Sequence, residues 1–331
     1  MRHRITVLGS GAMGTACASI LSQKPDTEVR LWARNAEFAR EISESRENRR
    51  LLPGVFLPDA VHITASEETA LAGADVVVVC IPTRGIRDAF SRLSPCVPQN
   101  ALIVSAVKGI ENATLFRPSQ ILQELLGDRP VVALGGPCHA EEVARRLPAS
   151  VVAACDDSTA AERIQNLFST DYLRVYANSD LIGVELGGAL KNVIAVAAGI
   201  SDGLQYGDNA RAALLTRGLA EMVRFGVMMG AQLETFYGLA GVGDLTVTCC
   251  SRHSRNRAVG EMLGQGRSLA EIESGMNAVA EGVFTVRSVV ELARRKQIEM
   301  PIAHEVYSVL FEGKSPAEAT GNLMRRPLRA E

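Results

Sequence analysis

Five short apolar runs recur in the first part of the chain: Ile5 to Leu8, Val29 to Trp32, Val76 to Ile81, Leu102 to Ser105 and Val131 to Leu134. The stretches between them have helical spacing, a pattern that predicts parallel strands joined by crossover helices. Runs apolar on both faces belong inside a sheet covered by helices on either side. Gly9, Pro82, Lys108-Gly109 and Gly135-Gly136-Pro137 fall at or just after these runs. Strand ends of an open α/β sheet form its ligand crevice, so candidate chemistry should gather there. Weaker runs, Ser150 to Ala154 and Leu173 to Tyr176, predict a continuation of the sheet or its edge. The segment Arg46 to Pro58, with two prolines and a glycine, predicts an irregular loop.

Beyond Asn178-Ser179-Asp180, which supplies helix N-cap residue types, alanine, leucine, methionine and glutamate dominate and strand-like runs become rare. The expected fold class is therefore α/β, a Rossmann-type doubly wound, mostly parallel sheet over residues 1–179, followed by an all-α helical domain over 180–331. A length of 331 residues agrees with two domains at about 150 residues each. The most apolar stretch, Leu181 to Ile200, is interrupted by Glu185, Lys191, Asn192 and four glycines, which argues against a membrane span.

Charge narrows the function classes. Lys and Arg number 35 against 37 Asp and Glu, so no global field draws the chain onto nucleic acid or an anionic membrane, and any anion site must be local. The seven cysteines are odd in number and scattered, which suits reduced thiols and a cytoplasmic location. Only Ile5 to Leu8 separate the basic N-terminus from Gly9, too few apolar residues for a signal peptide.

Gly9-Ser10-Gly11-Ala12-Met13-Gly14 is G-x-G-x-x-G, placed after a strand-like run and opening the helical stretch Thr15 to Ser22. Gly9, Gly11 and Gly14 in this context predict a dinucleotide pyrophosphate seated on a helix N-terminus. Roughly 20 residues on, where an acid often holds the ribose 2′-hydroxyl of NAD, the chain offers Arg34 instead. A guanidinium there suits the 2′-phosphate of NADP(H), although a solvated surface arginine fits the local sequence nearly as well. Lys108 follows the fourth run and points to an anion or hydroxyl at the crevice mouth, or simply to solvent. Cys138-His139 lies in the next turn, but no other Cys/His set has ligand spacing, so neither a metal nor a nucleophilic pair is expected.

Lys191, in Leu186-Gly187-Gly188-Ala189-Leu190-Lys191-Asn192, sits on a helix with Gly187 and Gly188 one turn before it. The glycines predict a shallow face, and burial among apolar neighbours would lower the pKa of a lysine that exchanges protons. The competing reading is a snorkelling lysine, or one paired with a carboxylate such as Glu185. Farther on, Asp244 precedes a loop containing Ser254, Arg255 and Asn256, donors that a phosphate dianion demands.

These stretches together resemble the bacterial NAD(P)-dependent glycerol-3-phosphate dehydrogenases over nearly the whole chain. The resemblance is carried by GSGAMGTA, LWARN, LLPGVFLP, VKGIE, GGPCHAEEVA, IGVELGGALKNVIAVAAGISDG, NARAALLTRGLAEM, GVGDLTVTC, SRNRAVG and AEG. It implies reversible oxidation of sn-glycerol 3-phosphate to dihydroxyacetone phosphate with NADP(H) or NAD(H), supplying the glycerol backbone of phospholipids. It makes Lys191 the proton acceptor and lets Lys108 touch both ligands. Substrate contacts are implied at Gly136, Cys138, Asp244, Ser254, Arg255 and Asn256. Nucleotide contacts are implied at Ala12, Met13, Arg34, Ala140, Arg255, Val279 and Glu281. The chain departs from the pattern at Ala12-Met13, where a serine and an aromatic residue are usual, and at Cys138-His139, where Ser/Thr and Phe are usual; Cys138 is accordingly expected to contact substrate through its backbone. A homodimer is a further expectation. Two other readings remain open on the residues alone: a related reductase for non-phosphorylated 2-oxo or 3-hydroxy acids, and a catalytically silent NAD(P) sensor.

Overall fold

The computed structural model describes residues 3–276 and 280–328. One sheet holds β1 (His3–Leu8), β2 (Thr27–Trp32), β3 (Val61–Thr64), β4 (Val76–Val79), β5 (Leu102–Ser105), β6 (Val131–Gly135), β7 (Ala149–Ala154) and β8 (Leu173–Asn178). Their order is β3-β2-β1-β4-β5-β6-β7-β8, parallel throughout except where β7 runs antiparallel to β6. This is a Rossmann-type sheet, as expected, and the order reverses between β1 and β4, where Leu8 pairs with Val79.

β4 shows why the sheet is double-layered. It is four valines, all buried; Val76 and Val78 join one apolar cluster, while Val77 and Val79 join another. Alternation of period two puts those clusters on opposite faces of the sheet. The covering helices are α1 (Ala12–Leu21), α2 (Ala36–Ser45), α3 (Glu67–Leu71), α4 (Ile86–Leu93), α5 (Pro118–Leu126), α6 (Ala140–Val143) and α7 (Ser158–Phe168). In α4 the buried set Ile86, Ala89, Phe90 and Leu93 is the i, i+3, i+4, i+7 stripe of an amphipathic helix.

Two boundaries differ from expectation. α1 begins at Ala12, not Thr15, so Gly14 lies inside its first turn. β3 was not anticipated: its four residues, Val-His-Ile-Thr, sit at the sheet edge with only Val61 buried. The Arg46 to Pro58 segment is irregular, as expected.

The remaining helices are α8 (Leu181–Gly203), α9 (Gly207–Met228), α10 (Leu233–Tyr237), α11 (Asp244–Cys250), α12 (Arg255–Gly264), α13 (Leu269–Gly275), α14 (Glu281–Lys296), α15 (Pro301–Phe311) and α16 (Pro316–Met324), with a π-helical turn at Leu239–Gly243. Residues 1–108 and 116–184 form one compact unit, and 109–115 with 185–331 form the other. The Asp180 carboxylate accepts a hydrogen bond from the Gly183 N–H at 2.8 Å and so caps the start of α8. α8 is long and apolar enough to cross a bilayer, yet 94% of its most apolar window is buried inside the protein, the signature of a core helix. Its packing on α12 is backbone to backbone: a Cβ on Gly199 would fall 1.9 Å from the Arg257 carbonyl oxygen, and one on Gly260 would fall 2.0 Å from that of Val196.

A buried acid joins α9 to α15. The Glu221 carboxylate accepts from the backbone N–H groups of Ile302 and Ala303 at 2.7 and 3.3 Å, satisfying the first turn of α15. Burial, only partly offset by those two donors and by Arg224 and Arg326, pushes the Glu221 carboxyl from 4.5 up to about 7. The folded state thus binds this proton more tightly than the unfolded chain does. Its contribution to stability is fully present below pH 4.5 and is lost as the pH rises toward 7. In urea unfolding, the wild-type advantage over Glu221→Gln should therefore shrink by up to about 3 kcal/mol between pH 4.5 and 8. Parallel stability curves for the two proteins would exclude that role for Glu221.

Candidate active site

In the first unit, the sequence Gly9 to Gly14 forms a tight turn from β1 into α1. Gly9 has φ +107°, in the region that favours glycine. A Cβ on Gly14 would lie 1.8 Å from the Gly9 carbonyl oxygen, so no side chain fits at that position. Gly11 is the N-cap of α1 and supplies no side-chain acceptor; the first turn carries no acid. The helix therefore presents N–H groups and the positive end of its dipole without a competing negative charge. This cradle fits a dinucleotide pyrophosphate. Ala12 and Met13 are half-buried on the same turn and pack on a small cluster with Leu52, Val55 and Ala140.

Asn48 holds the turn from outside, although no motif marks it. It is fully buried; its Nδ2 donates to the Ser10 carbonyl at 3.0 Å and to Thr15 Oγ1 at 2.9 Å, while its Oδ1 accepts from the Leu51 N–H at 3.1 Å. The irregular segment is thus a strap across α1. Its signal in the sequence is the group of apolar residues Leu51-Leu52 and Val55-Phe56-Leu57 inside the loop.

Arg34 follows β2 and is 71% exposed, 3.5 Å from the equally solvated Asp88. Exposed pairs of this kind hold the side chain weakly, leaving it able to turn to a phosphate. Lys108, Gly136 and Cys138 meet at the ends of β5 and β6. Lys108 Nζ donates to the Gly136 carbonyl at 3.3 Å and lies 4.0 Å from Cys138 Sγ. The Cys138 thiol itself donates to the Gly136 carbonyl at 3.2 Å. The Lys108 carbonyl accepts from Thr83 Oγ1 at 3.2 Å, which fixes the lysine backbone. Ala140 opens the short helix α6.

In the second unit, Lys191 is 5% exposed on α8, and its Nζ donates to Asp244 Oδ1 and, at 2.7 Å, to Thr248 Oγ1. Asp244 is 1% exposed. The Thr248 hydroxyl donates its own proton to the Asp244 carbonyl at 2.6 Å, so its oxygen has lone pairs for the lysine. Asp244 is thus a carboxylate partner of the lysine. Burial and the carboxylate push the lysine in opposite directions, so burial alone does not set its protonation. The shallow glycine face is also filled differently than expected: a Cβ on Gly187 would lie 2.3 Å from the Ala240 carbonyl, because the π-helical turn packs into that space and delivers Asp244. Beneath the pair, burial pushes the Cys249 thiol up to about 12, so it stays neutral.

Ser254 is the N-cap of α12, its Oγ accepting from the Arg257 N–H at 3.3 Å. Arg255 is exposed at the first position of that helix, whose first turn carries no acid. Asn256 points inward: its Nδ2 donates to Asn192 Oδ1 at 2.9 Å and its Oδ1 accepts from the Gly282 N–H at 2.8 Å. That amide ties α8, α12 and α14 together and brings Glu281, the first residue of α14, beside the start of α12. Val279 lies outside the described residues. Another unmarked acid, Asp202, bridges Arg211 and Arg257 at the far end of α8, with 3.0 and 2.6 Å hydrogen bonds to their Nε atoms.

Comparison with known proteins finds two family models, one for each half of the chain. The model of the NAD-dependent glycerol-3-phosphate dehydrogenase N-terminus matches residues 4–161, and that of the C-terminus matches 180–321. The chain is 49% identical over 330 residues to a glycerol-3-phosphate dehydrogenase of Pelotomaculum thermopropionicum, covering 98% of this chain and 94% of that one. It is also 49% identical to one from Chlorobium limicola, covering 99% of both. Its fold matches the crystal structure of glycerol-3-phosphate dehydrogenase from Coxiella burnetii with a TM-score of 0.94 at 35% identity, over 98% of this chain and 99% of that one. With both halves matched in order and nearly full length covered, the chain belongs to the NAD-dependent glycerol-3-phosphate dehydrogenase family.

Proposed function

We propose that this chain oxidises sn-glycerol 3-phosphate reversibly at C2 to dihydroxyacetone phosphate, with NADP(H) or NAD(H) as partner and Lys191 as the proton-exchanging group. The observation that carries the assignment is the buried Lys191–Asp244–Thr248 cluster, an amine whose charge and direction are both set by neighbours. The bound nicotinamide supplies a hydride acceptor or donor at its ring.

In the oxidative direction Lys191 Nζ, as the free amine, takes the C2 hydroxyl proton. Asp244 then faces the resulting ammonium, and its negative charge lowers the cost of holding that charge away from water. Thr248 Oγ1 and Asp244 Oδ1 fix two of the N–H directions of the ammonium, which aims the amine. In the reductive direction the same ammonium returns its proton to the developing C2 oxyanion. Arg255 and the start of α12 suit the substrate phosphate, since a guanidinium and an acid-free helix N-terminus both favour a dianion. Lys108, beside Gly136 and Cys138, is assigned to ligand contact from the first unit, and Arg34 to the 2′-phosphate of NADP(H). Asn256 is a positioning residue: its amide is engaged with Asn192 and Gly282, so it sets where Arg255 stands.

The glycerol backbone of phospholipids is the destination assigned to the product, and the scattered free cysteines support a cytoplasmic location. Exposed Val227, Met228, Leu233 and Tyr237 support self-association as a homodimer.

Replacing Lys191 with alanine should lower kcat by at least about a hundredfold while NADPH binding, followed by its fluorescence, is retained. Undiminished turnover in that variant would remove the lysine from the mechanism. Arg255 and Asn256 should separate cleanly. Arg255→Ala is expected to raise the KM for dihydroxyacetone phosphate by about tenfold or more with an unchanged melting temperature. Asn256→Ala should cost about 2–4 kcal/mol of unfolding free energy, because two buried hydrogen bonds go. A normal KM in the first, or native stability in the second, would contradict the role given to that residue.

A further inference from the structure

Directly beneath the glycine turn, thiols from two elements meet. Cys17 lies one helical turn past Gly14 on α1 and is 3% exposed. Cys80 follows β4, and its N–H donates to the Leu8 carbonyl at 2.8 Å, which fixes it beside the end of β1. On the loop side there is no slack. A Cβ on Gly14 would fall 3.3 Å from the Cys80 Cβ, and one on Gly9 would fall 3.0 Å from the Cys80 carbonyl oxygen. On the other side Cys80 packs against the apolar cluster that contains Cys17. Alternate residues of a strand share a face, so Cys80 follows Val76 and Val78 onto the cluster that holds Cys17, and the neighbouring Cys80 thiol together with burial holds the Cys17 thiol well above its ordinary pKa. Cys17 is therefore a protonated, enclosed thiol, and Cys80 is the partly exposed sulfur of the pair.

We propose that Cys17 and Cys80 form a reversible disulfide, a modification site built under the dinucleotide turn, and that closing it weakens dinucleotide binding. The second half rests on the reading that the Gly9–Gly14 turn holds the dinucleotide; the first does not. The oxidant is a small hydroperoxide. The Cys80 thiolate attacks hydrogen peroxide, an S–O bond forms as the O–O bond breaks, and one water leaves, giving a sulfenic acid. The Cys17 sulfur then attacks that sulfur; the S–S bond forms, the S–O bond breaks, and the Cys17 proton departs with hydroxide as a second water. Two thiols have lost two electrons and two protons, and one peroxide has become two waters. A small dithiol reverses the step by exchange.

The consequence for binding follows from the packing. A disulfide holds its sulfurs about 2.05 Å apart, closer than any two unbonded sulfurs can stand. Drawing α1 toward β4 presses Gly14 onto the Gly9 carbonyl, where a Cβ would already stand at 1.8 Å. The turn must shift, and the N–H groups of the first turn of α1 shift with it. By reciprocity, bound dinucleotide should favour the open thiols and lower the fraction of chains crosslinked at equilibrium.

The test uses the full chain, reduced and then treated with hydrogen peroxide at neutral pH with and without NADPH. Peptides are mapped by mass spectrometry without reduction, and NADPH affinity is read by fluorescence without substrate. The expected result is a crosslink between the peptides carrying Cys17 and Cys80, a mass loss of about 2 Da per chain, and an NADPH Kd raised about tenfold. Dithiothreitol should restore the affinity, and in a dithiol–disulfide redox buffer saturating NADPH should lower the crosslinked fraction. In Cys80→Ser the NADPH Kd should be the same before and after peroxide, with no crosslink formed. Cys17→Ala should leave a Cys80 sulfenic acid that dimedone traps. Oxidation confined to Cys250 or other thiols, with no 17–80 crosslink, would overturn the site. A crosslink with unchanged Kd would overturn the switching. Reduced protein that fails to bind NADPH would instead sink the dinucleotide reading of the turn, with the peptide map still deciding on the bond.

Discussion

A lysine and an aspartate, both almost wholly removed from water, must stay matched for the helical unit to exist in this form. Lys191 sits in the middle of α8, and Asp244 opens α11. Taking one charge out of water without the other would cost several kcal/mol, so every element that brings them together is constrained. The π-helical turn Leu239–Gly243 can reach α8 because Gly187 has no side chain, and α12 reaches it over Gly199 and Gly260. The Asn192–Asn256–Gly282 hydrogen bonds then fix the starts of α12 and α14 around the same pair. The proposed chemistry and the core packing of this unit draw on the same set of contacts.

The first unit solves a different problem, which is to offer anion-binding N–H groups without a side chain in the way. The reversal of strand order between β1 and β4 opens the place, and the Gly9–Gly14 turn uses it. Backbone proximity is so close there that the turn has no freedom of its own; Asn48 pins it from the loop side, and Cys80 backs it from the sheet side. Departures at Ala12-Met13 remove a hydroxyl and an aromatic face but leave this backbone cradle intact. The proposed contact to the adenosine half falls to Arg34, which is exposed beside Asp88.

Much of this was visible in the residues because it is local. Apolar runs ended by glycine or proline located the strands, and a glycine turn between a strand and a helix located the cradle. What stayed hidden depends on partners far apart in the chain. The strand Val61–Thr64 is short, half polar and at an edge, so it carries little periodic signal. Asn48 and Asp202 look like ordinary loop or surface residues until Ser10, Thr15, Arg211 and Arg257 are placed beside them. Asn256, expected as a phosphate donor beside Ser254 and Arg255, also makes long-range hydrogen bonds to Asn192 and Gly282 that its local sequence does not announce. Similarly, Gly187 suggested an open face, but a glycine marks close approach equally well when the visitor is the protein's own backbone.

The central claim is that Asp244 sets the protonation of a lysine that removes the C2 proton. The most direct measurement is the pH dependence of kcat/KM for glycerol 3-phosphate oxidation at saturating NADP+, in the wild type and in Asp244→Asn. Loss of the carboxylate charge removes a stabilising negative charge from beside the buried ammonium. The acidic limb of the profile should then move down by more than about one pH unit. A limb that stays in place, or moves upward, would contradict the account.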